Sequence, residues 1–362
     1  MKVTLVLHKY SVPLDDLCCY PLGFMYVSAE LKAQGHEVKV LNYNLWDYDL
    51  VEEVRDQDVV CFTGFEEFAK NIIRDSKICR DMGIWTVLGG ALATFIPEVM
   101  QEFVDQLWIG EFEEWSIIDR LPYPDYEGFG VDEYHKRHSK RYMSVLTSRG
   151  CPFSCTFCSQ TCKFSTRNIF HALGEIAFYK SKYKIETIVI NDNTFNLSKS
   201  RFMTLCEGLR KLKIGWGASI RCDIFDEDMA RAARDSNCEY FIVGVESFNQ
   251  AKLNRMNKRI KVEDIYRTLD LLHKYKIGYH GNILLGFENE SYQDIAKEVN
   301  LVPRGYQVFP ILVQPFIGTK NGKTRLLTDE QVRYLNRAFL ENIVSQGLYQ
   351  YPVLGKWKGE ER

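Results

Sequence analysis

Three cysteines stand at the spacing CxxxCxxC within Thr147-Ser148-Arg149-Gly150-Cys151-Pro152-Phe153-Ser154-Cys155-Thr156-Phe157-Cys158-Ser159-Gln160. The run 142–147 before them reads as a short buried strand closed by Arg149-Gly150, so the thiols lie on a loop leaving a strand's carboxyl end. Such a loop can wrap one compact inorganic centre. Thiolates hold iron–sulfur clusters, and a cubane normally takes four of them. Cys151, Cys155 and Cys158 supply three, which leaves one iron open to another ligand. The other reading is a closed zinc site completed by Cys162, four residues past Cys158. Zinc sites usually use CxxC pairs across a longer loop, and only the pair Cys155–Cys158 has that spacing here.

The elements that would position this loop repeat regularly. Apolar strands are expected at 143–147, 187–191, 215–219, 240–244, 281–285 and 308–313, with helical stretches between them and a further helix at 328–345. Six such units predict a partial (β/α)6 TIM-type barrel over 142–320, followed by a C-terminal helix and tail, 321–362. Active groups of such barrels collect at the carboxyl-end face. The expected strand ends are polar: Asn191, Asp192 and Asn193; Ser219, Arg221 and Asp223; Glu246 and Ser247; Gly286 with Glu288-Asn289-Glu290-Ser291; and Gln314-Pro315. Any one of them could cap a helix, but together they line one face. Cys206, Cys222 and Cys238 lack paired spacing and read as buried small hydrophobes, except that Cys222, beside Arg221 at the barrel mouth, is a candidate catalytic residue.

Residues 1–120 alternate short apolar strands (3–7, 38–41, 59–62, 85–88, 107–109) with helices at 22–34, 65–80 and 95–103. This predicts a doubly wound, Rossmann-like parallel sheet, whose ligands bind at the carboxyl ends of its strands. Gly89, Gly90, Gly110 and Glu111 fall at such ends, although plain strand-to-helix turns would also place glycine there. No G-x-G-x-x-G follows the first strand, so a dinucleotide is a poor fit. The proline-punctuated stretch Leu121-Pro122-Tyr123-Pro124 opens an expected linker, 121–141, which carries a basic run from His135 to Arg141.

The cysteine triad resembles the signature of the radical S-adenosylmethionine (SAM) superfamily, with Phe157 at the aromatic position near the adenine. The resemblance implies a [4Fe–4S] cluster on Cys151, Cys155 and Cys158, with SAM on the fourth iron. It assigns SAM contacts to Arg221 in Trp216-Gly217-Ala218-Ser219-Ile220-Arg221, to Glu246 in Gly244-Val245-Glu246-Ser247, and to Asn191, Asp192, Ser219 and Gly286. Arginine suits a carboxylate fork, and a glutamate suits ribose hydroxyls or an amine. Met256-Asn257-Lys258 also fits the subgroup and reads as a loop closure rather than as chemistry. Pro21-Leu22-Gly23, Gly35-His36-Glu37-Val38 and 88–94 resemble the cobalamin-binding-type domain fused to many such enzymes. The chain departs from that pattern: 8–16 lacks D-x-H-x-x-G, and Leu92 stands where relatives often carry histidine. Possible cobalamin contacts are then Gly89, Gly90, Gly110 and Glu111.

The resemblance implies reductive cleavage of SAM to a 5′-deoxyadenosyl radical and cobalamin-dependent methylation of an unactivated carbon. Two alternatives stay open: rearrangement, cyclisation or oxidation with a corrinoid-free first domain, and a zinc-stabilised nucleotide-binding module. A small-molecule or peptide substrate and an electron donor such as flavodoxin or ferredoxin are the expected partners. The 362 residues, 46% hydrophobic with net charge −2, suffice for two cores and give no clear nucleic-acid signal. No apolar run reaches the length of a membrane span. Eleven cysteines without a signal-peptide pattern predict a reducing cytoplasm, and the absence of cysteine after Cys238 argues against a downstream second cluster.

Overall fold

A computed structural model describes residues 1–10, 20–110, 118–159, 162–287, 290–303 and 305–312. The chain forms two compact units, which divide between Ser139 and Lys140.

The first unit contains β1 (Lys2–Leu7), α1 (Leu22–Ala33), β2 (Glu37–Asn42), α2 (Leu50–Val54), β3 (Val59–Thr63), α3 (Ala69–Asp81), β4 (Trp85–Gly89), α4 (Gly90–Phe95), α5 (Pro97–Met100), β5 (Gln106–Leu107) and α6 (Val131–Arg137). The sheet order is β2-β1-β3-β4-β5, all parallel. This is the doubly wound arrangement with its switch point between β1 and β3. β1 lies inside the sheet between β2 and β3, and five of its six residues are buried, as a strand covered on both faces requires. The expected helix 95–103 is two short helices instead. Pro97 cannot donate an amide to the preceding turn, so it begins a new helix at its own first position. The expected strand 107–109 shortens to β5.

Much of the expected linker is core. Leu121, Tyr126, Phe129, Val131 and Tyr134 are buried. Asn42 Nδ2 donates to the Phe129 carbonyl and to Tyr134 Oη, both at 3.3 Å. Asp125 accepts from Ser28 Oγ at 2.5 Å and pairs with Lys32 Nζ at 2.6 Å, both on α1. Its prolines and basic run read as a connector, yet its apolar and aromatic residues are buried in the first unit.

The second unit contains β6 (Tyr142–Val145), β7 (Ser148–Arg149), β8 (Ser165–Thr166), α7 (Ile169–Tyr183), β9 (Thr187–Ile190), α8 (Lys199–Leu212), β10 (Gly215–Ile220), α9 (Glu227–Asp235), β11 (Cys238–Glu246), α10 (Gln250–Arg255), α11 (Val262–Lys274), β12 (Gly278–Leu285), α12 (Tyr292–Leu301) and β13 (Val308–Leu312). Six parallel strands pair in chain order, β6-β9-β10-β11-β12-β13, and β6 and β13 do not meet, so this is the expected partial barrel. Helix starts are capped by side chains: Asn168, Ser198, Asp226, Asn249 and Ser291 accept first-turn amides. Trp216 is fully buried among Phe195, Phe202 and Phe241, with ring centroids 5.4, 6.2 and 5.6 Å away, and its Nε1 donates to the Ser236 carbonyl at 2.9 Å. This cluster seats β10 against α8, so it fixes the strand that carries Arg221. The expected helix 328–345, Glu111, Glu288-Asn289 and Gln314-Pro315 lie outside the described residues.

Candidate active site

The cysteine loop is fastened at both ends of its path. At its base, the buried carboxylate of Asp192, just past β9, accepts the amide and hydroxyl of Thr147 at 2.6 and 2.5 Å. It accepts the same groups of Ser148 at 2.9 and 2.7 Å. Burial pushes the Asp192 carboxyl up, and these hydrogen bonds pull against it. Both oxygens of Asp192, expected among the SAM contacts, are occupied by the loop base. Arg201 Nη2 and the Arg167 amide close on the Thr147 carbonyl at 2.6 and 2.9 Å. The short antiparallel ladder β7–β8 pairs Ser148 with Thr166 and Arg149 with Ser165. Gly150 sits at φ +69°, and a Cβ there would lie 2.4 Å from the Cys162 carbonyl oxygen, so only glycine fits.

The middle of the loop is held by the turn after α10. Asn257 Nδ2 donates to the Ser154 carbonyl and hydroxyl at 2.8 and 2.9 Å, and the Thr156 amide donates to the Met256 carbonyl at 3.0 Å. Cys151 and Cys155 are half-buried and Cys158 is exposed. Cys151 Sγ lies 3.5 Å from Thr194 Oγ1. Burial pushes the Cys155 thiol up, while the charges of Lys258 and Arg221 pull it down.

Arg221 and Glu246 both reach this loop. Asn196 brackets the Arg221 backbone, accepting its amide at 3.0 Å and donating to its carbonyl at 2.9 Å. The buried guanidinium forks onto Asp223, Nε and Nη2 at 3.1 and 3.2 Å, and lies 3.5 Å from the centroid of the Phe153 ring. One edge of the fork expected to meet a SAM carboxylate is thus taken by Asp223. Glu246 sits at φ +63° beside a register shift between β11 and β12, a backbone state that non-glycine residues adopt at a cost. Its Oε1 accepts from Lys258 Nζ at 2.8 Å. Lys258 is the residue whose part the sequence reading understated. The Met256-Asn257-Lys258 motif was the signal, and its three residues grip the loop by carbonyl, amide and charge.

The remaining expected residues are arranged around this centre. Phe157 is half-buried, its ring centroid 5.8 Å from Lys258 Nζ. Asn191 and Ser219 are half-buried; the Asn191 amide donates to the Val145 carbonyl at 2.8 Å, and the Ser219 carbonyl accepts from the Phe195 amide at 2.9 Å. Gly286, at φ +86°, donates its amide to Glu290 Oε2 at 2.8 Å, and Glu290 pairs with buried Lys252 at 2.5 Å. Cys222 is fully buried with its thiol toward the Gly244 carbonyl at 3.8 Å, and burial pushes it up to about 12. A thiol so placed is packed within the chain. Cys61, Cys79 and Cys206 are likewise pushed up to about 12 by burial. Among the described residues no three His, Cys, Asp or Glu side chains, the cysteine trio and Cys162 included, stand close enough to share one metal ion.

At the carboxyl edge of the first sheet, Gly90 is at φ +78° and its missing Cβ would lie 2.6 Å from Thr63 Oγ1, so it serves packing. Gly110, at φ +76°, has open space where a Cβ would be, and its amide donates to Thr94 Oγ1 at 3.0 Å. Gly89 precedes α4 and would meet only Trp108 Cβ, at 3.7 Å. Phe65, Trp108 and Ile109 at this edge are 57%, 39% and 57% exposed, an apolar rim around open backbone.

Known proteins agree with both halves. The B12 binding domain family matches residues 16–116 and the radical SAM superfamily matches residues 145–302. An uncharacterized methyltransferase of Pyrococcus horikoshii is 24% identical over 356 residues, covering 83% of this chain and 77% of that one. The bacteriochlorophyllide d C-12(1)-methyltransferase of Chlorobaculum tepidum is 26% identical, covering 83% and 72%. The structure of the radical SAM methyltransferase TsrM from Kitasatospora setae superposes with a TM-score of 0.70 at 17% identity, covering 89% of this chain and 75% of that one. The cobalamin-dependent radical SAM enzyme OxsB gives 0.69 at 17% identity, covering 94% and 56%. These two likenesses carry the fold: a doubly wound sheet joined to a partial parallel barrel. The chain thus carries a B12-binding domain at 16–116 followed by a radical SAM domain at 145–302.

Proposed function

We propose that the chain is a cobalamin-dependent methyltransferase that acts on an unactivated carbon. The observation that carries this reading is the cysteine loop, fastened by Asp192 below and Asn257 above, at the open end of a half-barrel. Cys151, Cys155 and Cys158 fit a [4Fe–4S] cluster by donor type, and the neighbouring cations Arg221 and Lys258 offset thiolate charge. When bound, that cluster supplies the electron that cleaves the SAM carbon–sulfur bond. A corrinoid fits the apolar rim and open backbone at Gly89 and Gly110, and when bound it supplies the methyl group.

The chain's own residues orient and shield. Arg221, stacked on Phe153 and forked onto Asp223, holds the first half of the loop. Glu246 presents a carboxylate beside the loop, where ribose hydroxyls or the SAM amine would meet it. Phe157 offers a ring face for the adenine, and Gly286 lets the β12 turn approach closely. The two relatives described as methyltransferases support the group transferred. An electron carrier of the flavodoxin or ferredoxin type is the proposed reductant. The test is anaerobic reconstitution with iron, sulfide and hydroxocobalamin, followed by a reductant and SAM. The reading expects 5′-deoxyadenosine and a retained corrinoid spectrum; Cys155→Ala should abolish the first and keep the second. Loss of neither in that variant refutes the assignment.

A further inference from the structure

Lys258 lies in a pocket built for a charge. The residue is 6% exposed, and its ammonium pairs with Glu246 at 2.8 Å. A Cβ on Gly244 would stand 2.7 Å from Lys258 Nζ, so glycine at that point of β11 leaves the room the ammonium occupies. Arg221 Nη2 donates to the Lys258 carbonyl at 2.8 Å, which fixes the backbone that carries it. Asn257 and Met256, the two residues before it, bind the cysteine loop at Ser154 and Thr156. The Phe157 ring, next to Cys158, faces the ammonium at 5.8 Å. A lysine is almost never buried so fully unless it is paired, and here the partner is Glu246.

We propose that Lys258 is a positioning residue whose fixed positive charge, set behind the cysteine loop, favours the reduced state of the cluster held there. The inference rests on the cluster assignment above. One electron arrives from an external one-electron donor, no bond forms or breaks, and the net negative charge of the centre rises by one. A buried cation nearby stabilises that added charge, and cluster potentials respond to local charge and exposure. Glu246 opposes the effect, but it is the Lys258 ammonium that faces the loop itself, at the Phe157 ring beside Cys158. Lys258 therefore sets both the place of Glu246 and the ease of reduction.

The test is an EPR-monitored redox titration, with dithionite and mediators, of the full reconstituted chain without SAM. Lys258→Met is expected to lower the reduced-to-oxidised ratio about tenfold at the wild-type midpoint, a shift of about 59 mV for one electron. Lys258→Arg should keep the wild-type midpoint. An unchanged midpoint in Lys258→Met at wild-type iron and sulfide content overturns the inference. Should that variant fail to take up iron, the double variant Lys258→Gln with Glu246→Gln removes both charges of the buried pair. A lowered midpoint there supports the inference, and the wild-type value overturns it. A wild-type chain that takes up no iron refutes the cluster assignment instead, so the two failures are distinct.

Discussion

The carboxylate of Asp192 takes four hydrogen bonds from two consecutive residues of the loop base. Asparagine offers one acceptor oxygen, so Asp192→Asn leaves buried donors at Thr147 and Ser148 without partners. The expected cost is about 1–3 kcal/mol, read as a lower urea midpoint, together with fewer irons per chain after reconstitution. Cys222→Ala is expected to leave SAM cleavage at the wild-type rate, since its thiol is packed and protonated; a rate assay that shows loss would return it to the site. The cysteine trio was legible because ligand spacing is local. The grip of Asp192 and the Lys258–Glu246 pair was not, because each partner lies many residues from the group it holds. Polar residues at strand ends serve the scaffold and the ligand alike, and only the hydrogen-bond partners separate the two.

Elements tell a parallel story. Trp216 holds β10 against its helices through three aromatic neighbours, so Trp216→Ala should cost about 3–5 kcal/mol in denaturant and loosen Arg221 with it. In the first unit, Asp125 ties residues beyond the sheet to α1. Burial raises its pKa, but Lys32, Ser28 and the Gly128 amide outweigh burial and hold the carboxyl below its usual range. A lowered folded pKa adds stability above the unfolded value of about 3.9, and that stability is lost as pH falls through the folded value. Urea unfolding of the wild type should therefore weaken on acidification through this window. Asp125→Asn should be weaker at pH 7 and less sensitive there to acid. Strand order and count followed from apolar runs. The split at Pro97 and the packing of 121–137 did not, because one needs backbone geometry and the other needs a surface to pack on.

At the scale of the whole molecule, two units of different chemistry share one chain. The first has the sheet and the apolar rim of a corrinoid domain yet lacks D-x-H-x-x-G, so sequence left its cofactor open and the family match at 16–116 supplied it. Gel-filtered chain is expected to retain stoichiometric corrinoid, seen in its visible spectrum. The second unit carries the three cysteines proposed to hold the cluster. The direct test is the EPR spectrum of the anaerobically reconstituted, dithionite-reduced chain, before and after SAM. The account predicts about four irons per chain, a reduced-cluster signal, and a change in that signal when SAM binds the open iron. A silent spectrum from a chain that binds zinc and no iron would contradict it.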